Sequence, residues 1–226
     1  MEISIDINTL LTFFDEVPTE SVEHATAICQ VAGEDLGFGL LTHYFKSKGK
    51  QVRLVSRKCN HGTNAGHRLD GWLRVDDAKS ILYQVEVKNW SAHATDGKCL
   101  LVKARKADVS KHKIEAWEGE WSKSKGKFTK PQVQKVLERM KPPQDAPYDS
   151  IEPLVCYWNA MHPKGKLSPF FQQPLRGKDF SVVNVFSMSS YLRILNKEGK
   201  RRLKLEMPDT VRRVDWLHRM FPLLKP

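Results

Sequence analysis

The chain has 226 residues, with 37 lysines and arginines against 26 aspartates and glutamates, for a formal net charge of +11. That length supports one sizeable core, or one core with an appended lobe. No apolar run is long enough for a membrane span, and no GxxxxGK[ST] loop is present, so ATP use through a P-loop is excluded.

The four cysteines, Cys29, Cys59, Cys99 and Cys156, are widely spaced with no Cys-x-x-Cys. Reduced, mostly buried thiols are expected. The opening Met1-Glu2-Ile3-Ser4-Ile5-Asp6 lacks the basic start of a signal peptide. Together these features predict a cytoplasmic protein.

Charge is unevenly spread. Residues 1 to 46 hold one lysine, Lys46, against eight acids, which leaves 36 basic and 18 acidic residues in the remainder. A basic body of this size is the electrostatic footprint of a nucleic-acid binder.

In chain order, residues 7 to 16 and 19 to 32 read as helices, the second opened by Pro18-Thr19. A further helix carries Glu34, with Leu36, Leu40, Leu41, Tyr44 and Phe45 as its core side. Glycines 33, 37 and 39 around Glu34 let that helix lie close to a sheet or to a substrate. Residues 50 to 58 read as a strand, and a loop containing Cys59 and His61 leads through His67 into the next strand. Zinc is a poor match for these three residues, because no fourth ligand stands at a suitable spacing.

The stretch from Arg68 to Lys88 reads as two strands joined at Asp76-Asp77-Ala78-Lys79. Residues 99 to 142 are basic and partly helical. Within them, Lys123-Ser-Lys-Gly-Lys127 reads as a phosphate-facing loop, with Lys125 at its centre. Thr129 and Gln132 form a capping-box pattern. The helix that follows packs through Val133, Val136, Leu137 and Met140, while Gln134 and Lys135 face elsewhere.

Residues 152 to 161 and 180 to 188 read as buried strands. The tail combines a basic stretch at 200 to 204 with an amphipathic helix near 209 to 221. Helices alternating with such apolar strands indicate an α/β fold with a mixed sheet covered on both faces. A single domain over 1 to 226 is expected. It carries an acidic helical N-terminal extension to about residue 32 and a basic C-terminal tail from about residue 193.

Candidate chemistry lies in the hairpin. Side chains alternate along a strand, so Arg68, Asp70, Trp72 and Arg74 share one face of the first strand. Gln84, Glu86 and Lys88 share one face of the second. If the strands are neighbours, two carboxylates and an ammonium converge. Carboxylates hold hard divalent cations, a bound cation polarises phosphate and acidifies water, and a lysine can orient that water and offset charge. A lone Glu-x-Lys also describes a solvated strand face with an ion pair, but here an upstream aspartate and a helical glutamate accompany it.

Leu69-Asp70, a spacer, and Glu86-Val87-Lys88, preceded by Glu34 on a helix, resemble the PD-(D/E)xK nuclease superfamily. Leucine replaces the proline of the first half-motif. The resemblance spans roughly residues 30 to 190 in its order of elements, and four positions carry it. It implies a restriction-endonuclease-like fold, a mixed central β-sheet flanked by helices on both faces. It also implies a metal-dependent nuclease, with an endodeoxyribonuclease the foremost reading. Asp70, Glu86 and the Val87 carbonyl would hold Mg2+, with Mn2+ able to substitute. Lys88 would position water, and Glu34 would serve a second metal or outer-shell water.

The implied partner is DNA, with RNA open and no membrane. The setting could be restriction, phage defence, repair or mobile-element processing. A homodimer, or a partner protein of a defence or recombination system, is compatible. Trp90, just past Lys88, either walls the site, stacks on a nucleotide or packs in the core. The alternatives are a ribonuclease or a non-catalytic nucleic-acid-binding subunit of the same fold.

Overall fold

The computed structural model describes residues 2–16, 32–60, 68–88, 142–143, 147–158, 160, 162, 166–174 and 181–222. The helix expected over 19 to 32 and nearly all of the basic segment at 99 to 142 lie outside these residues.

The chain begins with β1 (Glu2–Asp6) and α1 (Ile7–Glu16). Asp6 caps that helix, its Oδ1 accepting the Thr9 backbone N–H at 2.8 Å. Then come α2 (Glu34–Ser47) and the strands β2 (Gln51–Asn60), β3 (Arg68–Asp76), β4 (Ser80–Lys88), β5 (Ser150–Tyr157), β6 (Phe170–Pro174) and β7 (Val182–Ser187). The chain continues through α3 (Met188–Lys197), β8 (Arg202–Glu206) and α4 (Pro208–Met220).

Six strands form one mixed sheet in the order β2-β3-β4-β5-β7-β6. β2, β3 and β4 run antiparallel, β4, β5 and β7 are parallel, and β6 returns antiparallel to β7. The β3–β4 turn is pinned by Asp76, which accepts from Arg74 Nε at 2.7 Å and also from Ser80 Oγ. On one face Leu73, Val75, Tyr83, Val85, Val87, Leu154, Cys156 and Phe186 form the core with α2 and α3. The opposite face is buried as well, through Trp72, Leu82, Val155, Tyr157, Val183 and Val185. Burial on both faces explains the unbroken apolar run at 154 to 158.

β1 and β8 form a separate antiparallel pair, with Ile3 opposite Leu205 and Ile5 opposite Leu203. The N-terminal extension therefore opens as a strand rather than a helix, and the basic stretch near 202 becomes its partner. Period-two alternation decides both: Leu203 and Leu205 are buried while Arg202 and Lys204 are exposed. β5 ends earlier than the expected strand over 152 to 161. The Trp158 carbonyl there accepts the Ser189 N–H at 2.8 Å, turning the chain toward α3.

α2 lies between the two sheets. A Cβ added at Gly37 would stand 2.7 Å from Val87 Cγ1, and one at Gly39 would stand 3.3 Å from Leu205 Cβ and from the Glu206 carbonyl oxygen. Two residues apart, the glycines open nearly opposite sides of the helix to close approach. The expected core side of α2 holds: Leu36, Leu40, Leu41 and Phe45 are buried, and Tyr44 packs against Phe186 and Tyr191. Farther along, His43 Nδ1 shares a 2.6 Å hydrogen bond with the Tyr191 hydroxyl of α3.

Gly37→Ala should destabilise the protein by about 1–3 kcal/mol, because the new methyl overpacks against Val87. The check is urea denaturation. A second expectation concerns pH. Burial first, then Lys200 and Lys46, hold the His43 imidazole below its ordinary value. The unfolded chain therefore binds that proton more readily, and stability is lost as pH falls below the ordinary histidine value of about 6.5. The urea midpoint should drop between pH 7.5 and pH 5.5, and His43→Gln should flatten that drop.

Candidate functional site at the end of the central hairpin

The β3–β4 register places Gly71 opposite Val85 and Trp72 opposite Gln84. Carried one residue further, it sets Asp70 opposite Glu86 on the same face of adjacent strands. Asp70 Oδ2 accepts the Val87 backbone N–H at 2.7 Å. A carboxylate has about four lone-pair sites, so this bond orients Asp70 without exhausting its acceptor capacity.

Glu86 is only 6 % exposed and lies beside the equally buried Gln84. Arg74, Trp72 and Gln84 follow the face assignment expected from alternation, but that face is not the solvated one its polarity suggests. Trp72, Leu82 and Val155, which share it, are buried as well. A solvated strand face bearing a surface ion pair does not account for a glutamate at this depth.

The third element is α2. Glu34 is its first residue and is partly buried. Gly37, one turn on and on the same side of the helix, makes the close approach to Val87. Asp70 and Glu86 thus share one face of the hairpin, and Glu34 comes in on α2, which packs on the opposite face against Val87. Val87 connects them, its side chain against α2 and its N–H on Asp70.

Val87 pairs with Cys156 in the parallel neighbour β5, and Lys88, the last residue of β4, pairs with Tyr157. The side chain of Lys88 lies outside the described residues. So do Trp90, Lys123, Lys125, Lys127, Gln134 and Lys135, together with His61 and His67. Burial, and after it the negative charge of Asp70, push the Cys156 thiol well above its ordinary value.

Among the described residues, no group of three or more His, Cys, Asp and Glu side chains is gathered closely enough to hold a metal ion. Asp70 and Glu86 make a pair of hard oxygen donors, with the Val87 carbonyl between Glu86 and Lys88 in the same strand. Such a set fits Mg2+, which is commonly bound through one or two carboxylates while keeping several waters. No helix among the described residues is long and apolar enough to cross a membrane.

Asp35 escaped the sequence reading. It is 1 % exposed, and its Oδ2 accepts the Thr210 N–H at 2.7 Å in the first turn of α4. Its neighbour Glu34 carries the same charge at the start of the same helix. Residue type therefore does not separate the capping acid from the candidate site acid. Position does, because successive helical residues point about 100° apart.

Asp70→Ala should strip the Val87 N–H of this acceptor and cost about 1–3 kcal/mol. Asp70→Asn retains a carbonyl oxygen for that bond and should stay within about 1 kcal/mol of the parent. Urea denaturation of both variants checks this, and equal stabilities would show that the bond contributes nothing.

The chain matches no family model, no curated protein and no solved structure.

Proposed function

We propose that this protein is a metal-dependent nuclease with a restriction-endonuclease-like core, most readily read as a DNA endonuclease. The observation that carries the reading is the hydrogen bond from the Val87 N–H to Asp70, which ties that carboxylate across the hairpin beside Glu86, the residue before Val87 in β4. Glu86 is buried and Asp70 is anchored on a backbone N–H. The mixed sheet order and the basic body of the chain are in keeping with it.

Asp70 and Glu86, with the Val87 carbonyl, would hold Mg2+, and Mn2+ would substitute. Bound there, the ion supplies neutralisation of phosphate charge and a more acidic water. Asp70 is kept in place by the Val87 N–H, so its orientation does not have to be organised when substrate arrives. Glu86 is held rigidly by its burial in β4. Lys88, two residues on in the same strand, would donate to the attacking water and offset developing negative charge. Glu34, arriving on α2 from the other side of Val87, would take the outer position. The basic residues of the 99–142 segment, Lys123, Lys125, Lys127 and Lys135 among them, would contact phosphates, with Gln134 beside them and Trp90 near the end of β4.

The test is cleavage of plasmid, linear duplex and single-stranded DNA, and of RNA, with Mg2+ or Mn2+ against EDTA. Cleavage should require the metal. Asp70→Asn and Glu86→Gln, which keep shape and remove charge, should abolish it. Lys88→Ala should lower it by about two to three orders of magnitude, the scale of one preorganised donor, with metal binding retained. Metal-independent cleavage, or Glu86→Gln cutting at the parental rate, would overturn the reading. Tight nucleic-acid binding without cleavage under any condition would leave the fold in the role of a non-catalytic binding subunit.

A further inference from the structure

Five of the eight large hydrophobic residues exposed among the described residues lie on one element: Val214, Trp216, Leu217, Met220 and Phe221, on or immediately after α4. Exposed apolar residues scattered singly need no explanation, but these are not scattered. Trp216 neighbours Met220 and Leu217 neighbours Phe221 at i, i+4, while Val214 neighbours Leu217 at i, i+3, so they form one continuous surface. Trp216 is 53 % exposed. Thr210 is the only buried residue of the helix. α4 is fastened at its first turn by Asp35, and beyond that turn only Val211, Arg213 and His218 are half-buried.

α4 itself carries three arginines, Arg212, Arg213 and Arg219, against two aspartates, Asp209 and Asp215. The Arg212 guanidinium lies 5.6 Å from the centre of the Trp216 ring. Asp209 holds Arg212 at 2.9 Å and Asp215 holds Arg219 at 2.7 Å. Two guanidinium groups are thereby kept on the helix that carries the exposed rings. A duplex would satisfy the cations but offer nothing to the rings, because its base faces are stacked away from solvent. Unpaired nucleotides offer both phosphates and flat apolar base faces.

We infer that α4, through Trp216 and Phe221 with Arg212 and Arg219, is a binding surface for single-stranded nucleic acid. Bases would stack on the rings and phosphates would meet the guanidiniums. This surface does not depend on the hairpin chemistry, because its binding is measured without metal. A protein that never cuts can carry it, and one that cuts can lack it.

The experiment is fluorescence anisotropy of a labelled oligo-dT of about 20 nucleotides, and of a duplex of equal length, in EDTA over a range of salt. Trp216→Ala should weaken oligo-dT binding about tenfold or more, the scale of losing one base stack, and leave duplex binding unchanged. It should leave the salt dependence unchanged too, since no phosphate contact is removed. Trp216→Phe should restore most of the affinity. Arg219→Gln should lower the log–log salt slope by roughly 0.7, one single-strand phosphate contact. Phe221→Ala repeats the comparison at the second ring if Trp216→Ala lowers the melting temperature.

The inference is overturned if the parent protein does not bind oligo-dT, or if the ring variants bind it as tightly as the parent. It is overturned equally if they lose duplex binding to the same extent. A change of sedimentation coefficient on Trp216→Ala would assign the surface to contacts between copies instead.

Discussion

The contact between Gly37 and Val87 sets the geometry of everything around it. Without a side chain at residue 37, α2 settles onto β4 at a distance no other residue permits, and the two valine methyls fill the space a Cβ would need. That approach seats α2, one turn after Glu34, on the side chain of Val87, whose N–H reaches across to Asp70. Packing on one side of a peptide and hydrogen bonding on the other thus fix the relative places of three acids that are 36 and 16 residues apart in the chain. Close-packed interiors transmit such constraints because they do not deform continuously.

α2 also governs the C-terminal region. Gly39 admits the β1–β8 pair on its second side, and Asp35 supplies the carboxylate that satisfies an N–H at the start of α4. The position preceding α4 is Met207, which has no side-chain oxygen to do so. A buried carboxylate at a helix N-terminus is favoured both by the hydrogen bond and by the helix dipole. One helix therefore places the candidate site acid Glu34, receives the main sheet, receives the small sheet and caps the last helix. Two consecutive acids at its start serve two unrelated purposes.

Much of this was legible in the residues. The hairpin from Arg68 to Lys88 follows from alternation and a polar turn. That the two strands are antiparallel neighbours follows from the short turn, while which residues share a face follows from alternation. The helix around Leu36, Leu40 and Leu41, and its close approach through glycine, were legible for the same reason: local patterns report local structure. β1 and β6 were not. Each is five residues long, below the length at which alternation is distinctive, and β1 is stabilised only by a partner at the far end of the chain. The burial of Glu86 was also hidden. Alternation tells which residues share a face and not how deeply that face is buried, so a polar set reads as solvated until Glu86 and its neighbours Trp72, Leu82 and Val155 are all seen to be buried.

The pairing of β1 with β8 carries a consequence for how the molecule forms. Ile5 and Leu203 meet only by closing a loop of about two hundred residues, an entropic cost that grows slowly with length but is borne in full before any contact rewards it. The central hairpin, by contrast, closes over three residues and can form at once. During synthesis the N-terminal strand waits, unpaired, until Arg202–Glu206 has been made. The β1–β8 pair therefore belongs to the last stage of folding. Until then the Gly39 side of α2 has no sheet against it, and the helix that positions Glu34 is held from one side alone.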